Sequence, residues 1–286
     1  MKEKWKDRSL KAVFNDNGNR RPAGAPAEGG RKGKKMAAEK WIDIWAQTDR
    51  GRRRRKNEDY FGIYKPEDEK VLNEYGILTV VADGMGGTDR GGMASKVAVE
   101  TISRTYYESR SIEVPSRLRE AYLRANETVF REVARGVEHA AGTTCTAAVF
   151  LRGTLFVANA GDSRAYLFKD GDLEQLTQDH SLISRLVKQG KVSREEAKTH
   201  PTRTVLTSSI GMTKRFTVDI TGPVELSEHD RVLLSTDGLF NMIEDEEIGE
   251  ILAGGTAKDA CSQLVKSANK AGGIDNITVI VVDVLR

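Results

Sequence analysis

Five short stretches place a carboxylate where an apolar, strand-like run meets a small or polar residue. Asp83-Gly84 follows ILTVVA, Asp162 lies in NAGDSR, Asp237-Gly238 follows RVLLST, Asp275-Asn276 precedes ITVIVV, and Glu58-Asp59 precedes YFGIY. Any one Asp-Gly pair at a strand end is explained well enough as a turn. Five together ask for more, because strand ends cluster in space and clustered carboxylates repel unless cations lie between them. The set contains no histidine or cysteine, and oxygen-only donors suit Mg²⁺ or Mn²⁺ and disfavour Zn²⁺. Two such ions about 3.5–4 Å apart activate a water and clamp the oxygens of an in-line displacement, which is phosphoester chemistry.

A second chemical feature adjoins the first acidic pair. Arg52 to Lys56 are five basic residues in a row, directly before Asn57, Glu58 and Asp59. If this stretch is extended, Arg52, Arg54 and Lys56 face one way and Arg53 and Arg55 the other. A guanidinium aimed at the acids could hold two phosphate oxygens at once. The plainer reading, a solvated basic strand or a localisation-like patch, fits most such runs. His139, His200 and His229 lie in polar stretches and read as surface residues, and Cys145 lies in an apolar run and reads as core.

The elements that must carry these residues are legible from Trp41 onward. ILTVVAD reads as a buried strand. Ala94, Val97, Ala98, Ile102 and Tyr106 recur at helical spacing, as do Leu118, Ala121, Tyr122, Ala125, Val129 and Val133. Two helices of about four or five turns are expected there. TTCTAAVFLRGTLFVANAGDSRAYLFKDGDLEQLT reads as an antiparallel meander with turns at RG, AGDS and KDGD. RVLLSTDG is another strand, KDACSQLVKSANKAGG a helix stopped by glycines, and NITVIVVDVL a last buried strand. This order predicts an α+β fold with two sheets and helices outside them. Residues 181–215 are polar, hold two short helical patterns around Gly190, and interrupt the meander. Ser193 and Glu196 form a capping box for the second pattern. The segment reads as a flap over a site.

Composition narrows the function classes. The chain has 286 residues, 38% of them hydrophobic. That is enough for a sizeable core. No apolar run approaches the ~18 residues of a membrane helix, and the first stretch lacks a secretory apolar region. Two distant cysteines fit neither zinc nor a disulfide framework, so a cytoplasmic setting is expected. Residues 1–40 hold 12 basic and 5 acidic residues, net +7, whereas residues 41–286 hold 33 and 37, net −4. A mildly acidic body argues against a dedicated nucleic-acid domain. Residues 1–38 are expected to be a disordered basic tail, and residues 39–286 a single folded domain.

Seven stretches then occur in a telling order: TDRGRRRRKNEDYFG, VADGMGG, GTTCTAAVF, VANAGDSRAYLF, LTQDHSL, LLSTDGLF and DNITVIVV. Over residues 44 to 285 the chain resembles the type 2C protein phosphatases, a metal-dependent Ser/Thr phosphatase family, in a bacterial-like form. The resemblance implies a β-sandwich of two antiparallel sheets flanked by α-helices, layered α-β-β-α. It implies two Mn²⁺ or Mg²⁺ ions, with Asp83 bridging them, the Gly84 carbonyl on one, and Asp237 and Asp275 on the other. Asp162 would serve a weaker third ion shared with Asp237, Glu58 and Asp59 would hold metal-bound waters, and Arg54 would bind the phosphate. A metal-bridging water would attack phosphorus directly, without a phospho-enzyme. Many family members carry a histidine, a proposed general acid, where this chain has Met85, so a metal-bound water would protonate the leaving oxygen. His180, in LTQDHSL, would cap or pin the flap. The implied substrates are phosphorylated proteins, with a separate Ser/Thr kinase as counterpart and the chain itself a monomer. The rival expectation is a catalytically silent phosphoprotein binder of the same fold, and complete acid positions count against it.

Overall fold

The computed structural model describes residues 10–14, 41–86, 90–134, 141–213 and 216–285. Its centre is a pair of antiparallel sheets. The first orders β1 (Leu10–Phe14), β3 (Asp59–Pro66), β4 (Ile77–Met85), β6 (Cys145–Leu151), β7 (Thr154–Ala160) and β10 (Asp219–Glu225), with a short β5 (Gly142–Thr143) on the end of β4. The second orders β2 (Ile42–Asp49), β12 (Ile277–Val284), β11 (Arg231–Ser235), β8 (Arg164–Lys169) and β9 (Asp172–Gln175). Helices α2 (Arg90–Glu108) and α3 (Val114–Val129), the latter continued by a π-turn at Phe130–Ala134, cover the first sheet. Helices α6 (Asp237–Phe240), α7 (Asp245–Leu252) and α8 (Ala257–Lys270) cover the second. The short α1 (Glu69–Tyr75) joins β3 to β4, and α4 (Leu182–Lys188) and α5 (Arg194–Thr199) lie between β9 and β10.

The four-layer α-β-β-α sandwich explains the apolar runs. In β4, Leu78, Val80 and Ala82 face the helices while Ile77 and Val81 face the other sheet. In β12, Ile280, Val282 and Val284 face the first sheet, and Ile277, Val279 and Val281 face α8. A strand covered on both faces has no side to leave polar, so period-two alternation disappears. The helical spacing of α2 and α3 holds, with Ala98, Ile102, Leu118, Tyr122 and Val129 all fully buried.

Four expectations need correction. The run read as one meander is divided between the sheets: β6 and β7 belong to the first, β8 and β9 to the second, and the chain crosses at Gly161–Ser163. Alternation of apolar residues is the same on either side of that crossing, so it could not reveal it. Between β11 and β12 stand three helices and not one, because α6 and α7 are too short to show a period. Residues 51–56 form a turn and a bend, not an extended strand. Finally, Leu10–Phe14, inside the expected tail, pairs with β3 from Leu10↔Pro66 to Phe14↔Gly62. The remainder of the expected tail lies outside the described residues.

β1 pairs with the half of β3 remote from Asp59. Deleting residues 1–38 should therefore leave turnover of a small substrate such as p-nitrophenyl phosphate unchanged, while exposing the β3 edge. The melting temperature should fall by a few degrees, on the scale of about 2–4 °C per kcal/mol for a body of this size. Calorimetry and a chromogenic assay on the truncated chain check both parts; a loss of turnover would contradict the placement.

Candidate active site

All five acidic stretches meet at one end of the sandwich. Asp59 begins β3 and Asp83 nears the end of β4, and the two are directly opposed in the ladder. Asp162 sits where the chain crosses from β7 to β8. Asp237 follows β11 and opens α6, and Asp275 precedes β12, the antiparallel neighbour of β11. Antiparallel pairing makes the end of one strand the beginning of the next, so acids placed alternately before and after strands converge.

A ring of short polar side chains fixes this edge. The Oδ2 of Asp59, in the first sheet, accepts from Thr236 Oγ1 at 2.8 Å and Thr278 Oγ1 at 2.7 Å, both in the second. Asp59 is 3% exposed and both threonines are fully buried, so this is an interior staple between sheets. Asp83 is held through its backbone: its carbonyl accepts from Thr144 N (2.9 Å) and Thr143 Oγ1 (2.8 Å), and its N–H donates to Thr144 Oγ1 at 3.0 Å. Thr144 Oγ1 lies 2.7 Å from Ser163 Oγ, which ties Asp83 to the turn bearing Asp162. The Asn276 side chain donates to the carbonyls of Arg50 and Lys56, each at 2.9 Å, and accepts from Glu58 N at 2.8 Å. Glycine is required at two close approaches: a Cβ on Gly84 would strike the Gly91 carbonyl, and one on Gly238 the Asn276 carbonyl.

The cluster is electrostatically costly. Burial pushes the Asp83 carboxyl well above the ordinary carboxylate range, and the charges of Asp59, Asp237, Asp162 and Asp275 push it further. Burial likewise raises Asp59 to about 7, against the pull of its two threonine donors. Asp162 rises to about 8 through burial and the charges of Asp237 and Asp179. Asp237 rises to about 6 through burial and Asp275, with Arg54 and Arg164 opposing. Protons or cations must neutralise such a group.

The donor chemistry fits a hard divalent cation. Among the described residues, Asp237 Oδ1 is buried with no hydrogen-bond partner. It shares its edge with the Asp83, Asp162 and Asp275 carboxyls, an all-oxygen set. Among the described residues no three acidic, histidine or cysteine side chains form a ready-made cage.

Arg54 reaches the cluster although its backbone is not extended. Arg52 and Arg53 donate their N–H groups to the Gly273 carbonyl at 2.7 and 3.2 Å, and this turn swings Arg54 Nη2 to 2.6 Å from Asp275 Oδ2. Position within the turn, not strand alternation, separates Arg54 from its neighbours. Glu58 is partly buried at the start of α2, where a Cβ on Gly91 would meet its Oε1 at 2.6 Å. His180 bonds groups outside the five acids. Its Nδ1 accepts from Gly161 N at 3.4 Å, its Nε2 lies 3.0 Å from Asp219 Oδ2, and its carbonyl accepts from Thr207 N at 2.7 Å. It pins the base of the 181–215 segment to the Asp162 turn. That segment holds α4 and α5, and the capping box at Ser193 and Glu196 is present. Cys145 is fully buried and its thiol is pushed up to about 12 by burial. His200 caps α5, His229 is exposed, and His139 lies outside the described residues.

Several site residues were not singled out from sequence: Thr143, Thr144, Ser163, Thr236, Asn276 and Thr278, together with Arg164, which grips Asp179 by two nitrogens at 2.7–3.2 Å. The available signal was hydroxyl and amide residues set flush into apolar strands, as in TTCTAAV. Buried strands admit such groups only where partners await them.

The raised carboxyls set a pH dependence for the metal-free protein. Their folded-state pKa values of about 6 to 8 exceed the unfolded ~3.9, so the folded state binds more protons between those limits. That contribution to stability is complete below the unfolded pKa and is lost as pH rises through the folded values. In EDTA the melting temperature should fall between about pH 5 and 8. Added Mn²⁺ should raise it more at pH 8 than at pH 5.5, because binding displaces protons. A flat or rising profile in EDTA, or no Mn²⁺ effect at pH 8, would contradict the cluster.

Residues 47–276 match the sequence model of the family described as Protein phosphatase 2C. The chain is 35% identical over 243 residues to the serine/threonine phosphatase stp of Listeria monocytogenes, covering 83% of this chain and 94% of that one. Among solved structures it resembles the PPM Ser-Thr phosphatase MsPP of Mycobacterium smegmatis, in complex with cacodylate, at 36% identity and a TM-score of 0.73, over 85% of this chain and 98% of that one. It also resembles the PstP catalytic domain in complex with two manganese ions, at 29% identity and a TM-score of 0.72, over 86% and 99%. With the sandwich, the acids at its end and these likenesses together, the chain belongs to the protein phosphatase 2C family.

Proposed function

We propose that the chain is a metal-dependent phosphatase of phosphoserine and phosphothreonine in proteins, and that the acid cluster with Arg54 at the end of the sandwich is its active site. The observation that carries this reading is the meeting of Asp59, Asp83, Asp162, Asp237 and Asp275 at one edge with Arg54 beside them. Asp83, the Gly84 carbonyl, Asp237 and Asp275 would hold two divalent cations, Mn²⁺ or Mg²⁺, and Asp162 a third. The two manganese ions of the PstP relative support the first two of these and not the third. Such cations supply neutralisation of the acids, a more acidic water and a counter-charge for the phosphoryl oxygens.

The chain's own residues do the rest. Arg54 has five N–H donors; Asp275 takes one and orients the guanidinium, leaving others for phosphate oxygens. Glu58 and Asp59 accept hydrogen bonds from water at the phosphoryl group. Neither Cys145, sealed in the core, nor His180, turned to Asp219, offers a nucleophile at the cluster. In this reading, as in the family resemblance, water attacks phosphorus directly, with no phospho-enzyme. Met85 cannot donate a proton, so water also protonates the leaving oxygen. Residues 181–215 act as a flap beside the site, anchored to it where Thr143 bridges Ile210. No described helix is long and apolar enough to cross a membrane. A cytoplasmic setting, a separate kinase and a monomeric chain remain part of the proposal. Nothing favours the silent binder, because every acid position is filled.

Phosphate release from phosphoserine and phosphothreonine peptides with Mn²⁺, Mg²⁺ or EDTA tests the reading directly. Asp83→Asn and Asp237→Asn should each nearly abolish p-nitrophenyl phosphate hydrolysis while circular dichroism shows a folded chain. Near wild-type turnover at saturating Mn²⁺ would defeat the ligand assignment. Arg54→Ala should cost about 1.5–3 kcal/mol in kcat/KM, mainly through KM, as for a lost charged hydrogen bond. Arg53→Ala and Arg55→Ala should change little with the same small substrate, and equal losses in all three would disprove the clamp.

A further inference from the structure

The phosphatase reading uses one residue of the basic run and leaves its neighbours unexplained. Arg50, Arg52, Arg53, Arg55 and Lys56 are all exposed, on a body whose residues 41–286 carry a net charge of −4. Among the described residues, Arg54 pairs with Asp275, while Arg50, Arg52, Arg53 and Arg55 form no ion pair. Like charges crowded together repel, and among the described residues no carboxylate pairs directly with those four arginines.

The run is nonetheless held firmly. Gly51 N donates to Asp49 Oδ1 at 2.8 Å. The N–H groups of Arg52 and Arg53 bond Gly273, and Asn276 clamps the carbonyls of Arg50 and Lys56 at its two ends. The backbone is therefore fixed against the loop that carries Asp275, while Arg52, Arg53 and Arg55 are exposed. An extended peptide advances about 3.3–3.6 Å per residue. If its phosphoryl group lies at Arg54, residues one to three positions away pass over Arg52, Arg53 and Arg55.

We propose that Arg52, Arg53 and Arg55 form a substrate-selecting rim that favours phosphoserine or phosphothreonine flanked by acidic residues. The proposal rests on the phosphatase reading and names its substrate class. The chain's own residues 1–40 are a poor occupant, since their net charge is +7. A nucleic acid is disfavoured as well, because its phosphates would continue onto the carboxylate cluster.

The test compares kcat/KM, with saturating Mn²⁺, for three phosphothreonine peptides of equal length whose flanks are acidic, neutral or basic. The wild-type protein and the triple variant Arg52→Gln, Arg53→Gln, Arg55→Gln are used, with p-nitrophenyl phosphate as the flank-free control. Wild type should prefer the acidic peptide over the neutral one by roughly tenfold at low salt, the combined size of three exposed pairs. The preference should shrink toward 1 M salt, where the screening length is about 3 Å. The triple variant should lose the preference while its turnover of the neutral peptide and the control stays within about twofold. If the triple variant misfolds, Arg53→Glu alone should lower the acidic-to-basic ratio. A wild-type ratio near one, a ratio that survives in the variants, or an equal loss on the control overturns the proposal. So does loss of salt-sensitive DNA binding in the variant with the peptide ratio intact, which would make the run a nucleic-acid face. Failure of wild type on the control and all three peptides strikes the phosphatase reading itself, and this inference with it.

Discussion

Mutual repulsion among carboxylates brought together at the seam between two sheets is the constraint that organises this molecule. Asp83 is raised by burial and by four other acids at once. No such group gathers unless the fold forces it and something compensates. Much of the polar chemistry at that end of the sandwich serves one of those two purposes.

The forcing is done by backbone pairing and by short side chains. The Asp59–Asp83 pair is set by ladder register, so separating them would require a strand slip that turns every core residue to the wrong face. Thr236 and Thr278 reach across from the second sheet to Asp59, so the site and the sheet-to-sheet packing share the same hydrogen bonds. Thr144 and Ser163 do the same for Asp83 and the Asp162 turn. Threonine and serine suit these positions because they are small enough for a packed interior and add no charge of their own.

Compensation comes from three sources of different character. Arg54 and Arg164 bring positive charge to the edge of the cluster, the first open to solvent and the second largely buried on Phe240 and Asp179. Protons satisfy the acids at lower pH. Divalent cations, in the proposed function, replace those protons and turn a destabilising group into a catalytic one. Stability given up at the site is supplied by the apolar layers on both sides of each sheet.

Sequence alone determined the chemistry of this protein and most of its layers. Oxygen-only acids at five strand ends implied hard cations, two helical periods implied α2 and α3, and seven stretches in order implied the family. Those features are local, carried by residue type and spacing within a single element. Tertiary structure decided what depends on which element lies beside which. The crossing at Gly161–Ser163 that splits the meander is invisible to alternation, because both sheets bury both faces. The helices α6 and α7, four and eight residues long, are too short for a repeating helical pattern to stand out. The strand Leu10–Phe14 forms by pairing with β3, which no composition count of a basic tail can show. Arg54 differs from four basic neighbours only through a turn fixed by Gly273 and Asn276, residues more than 200 positions away. Long-range hydrogen bonds select one side chain from a run of near-equivalent ones, and that selection has no signature within the run itself.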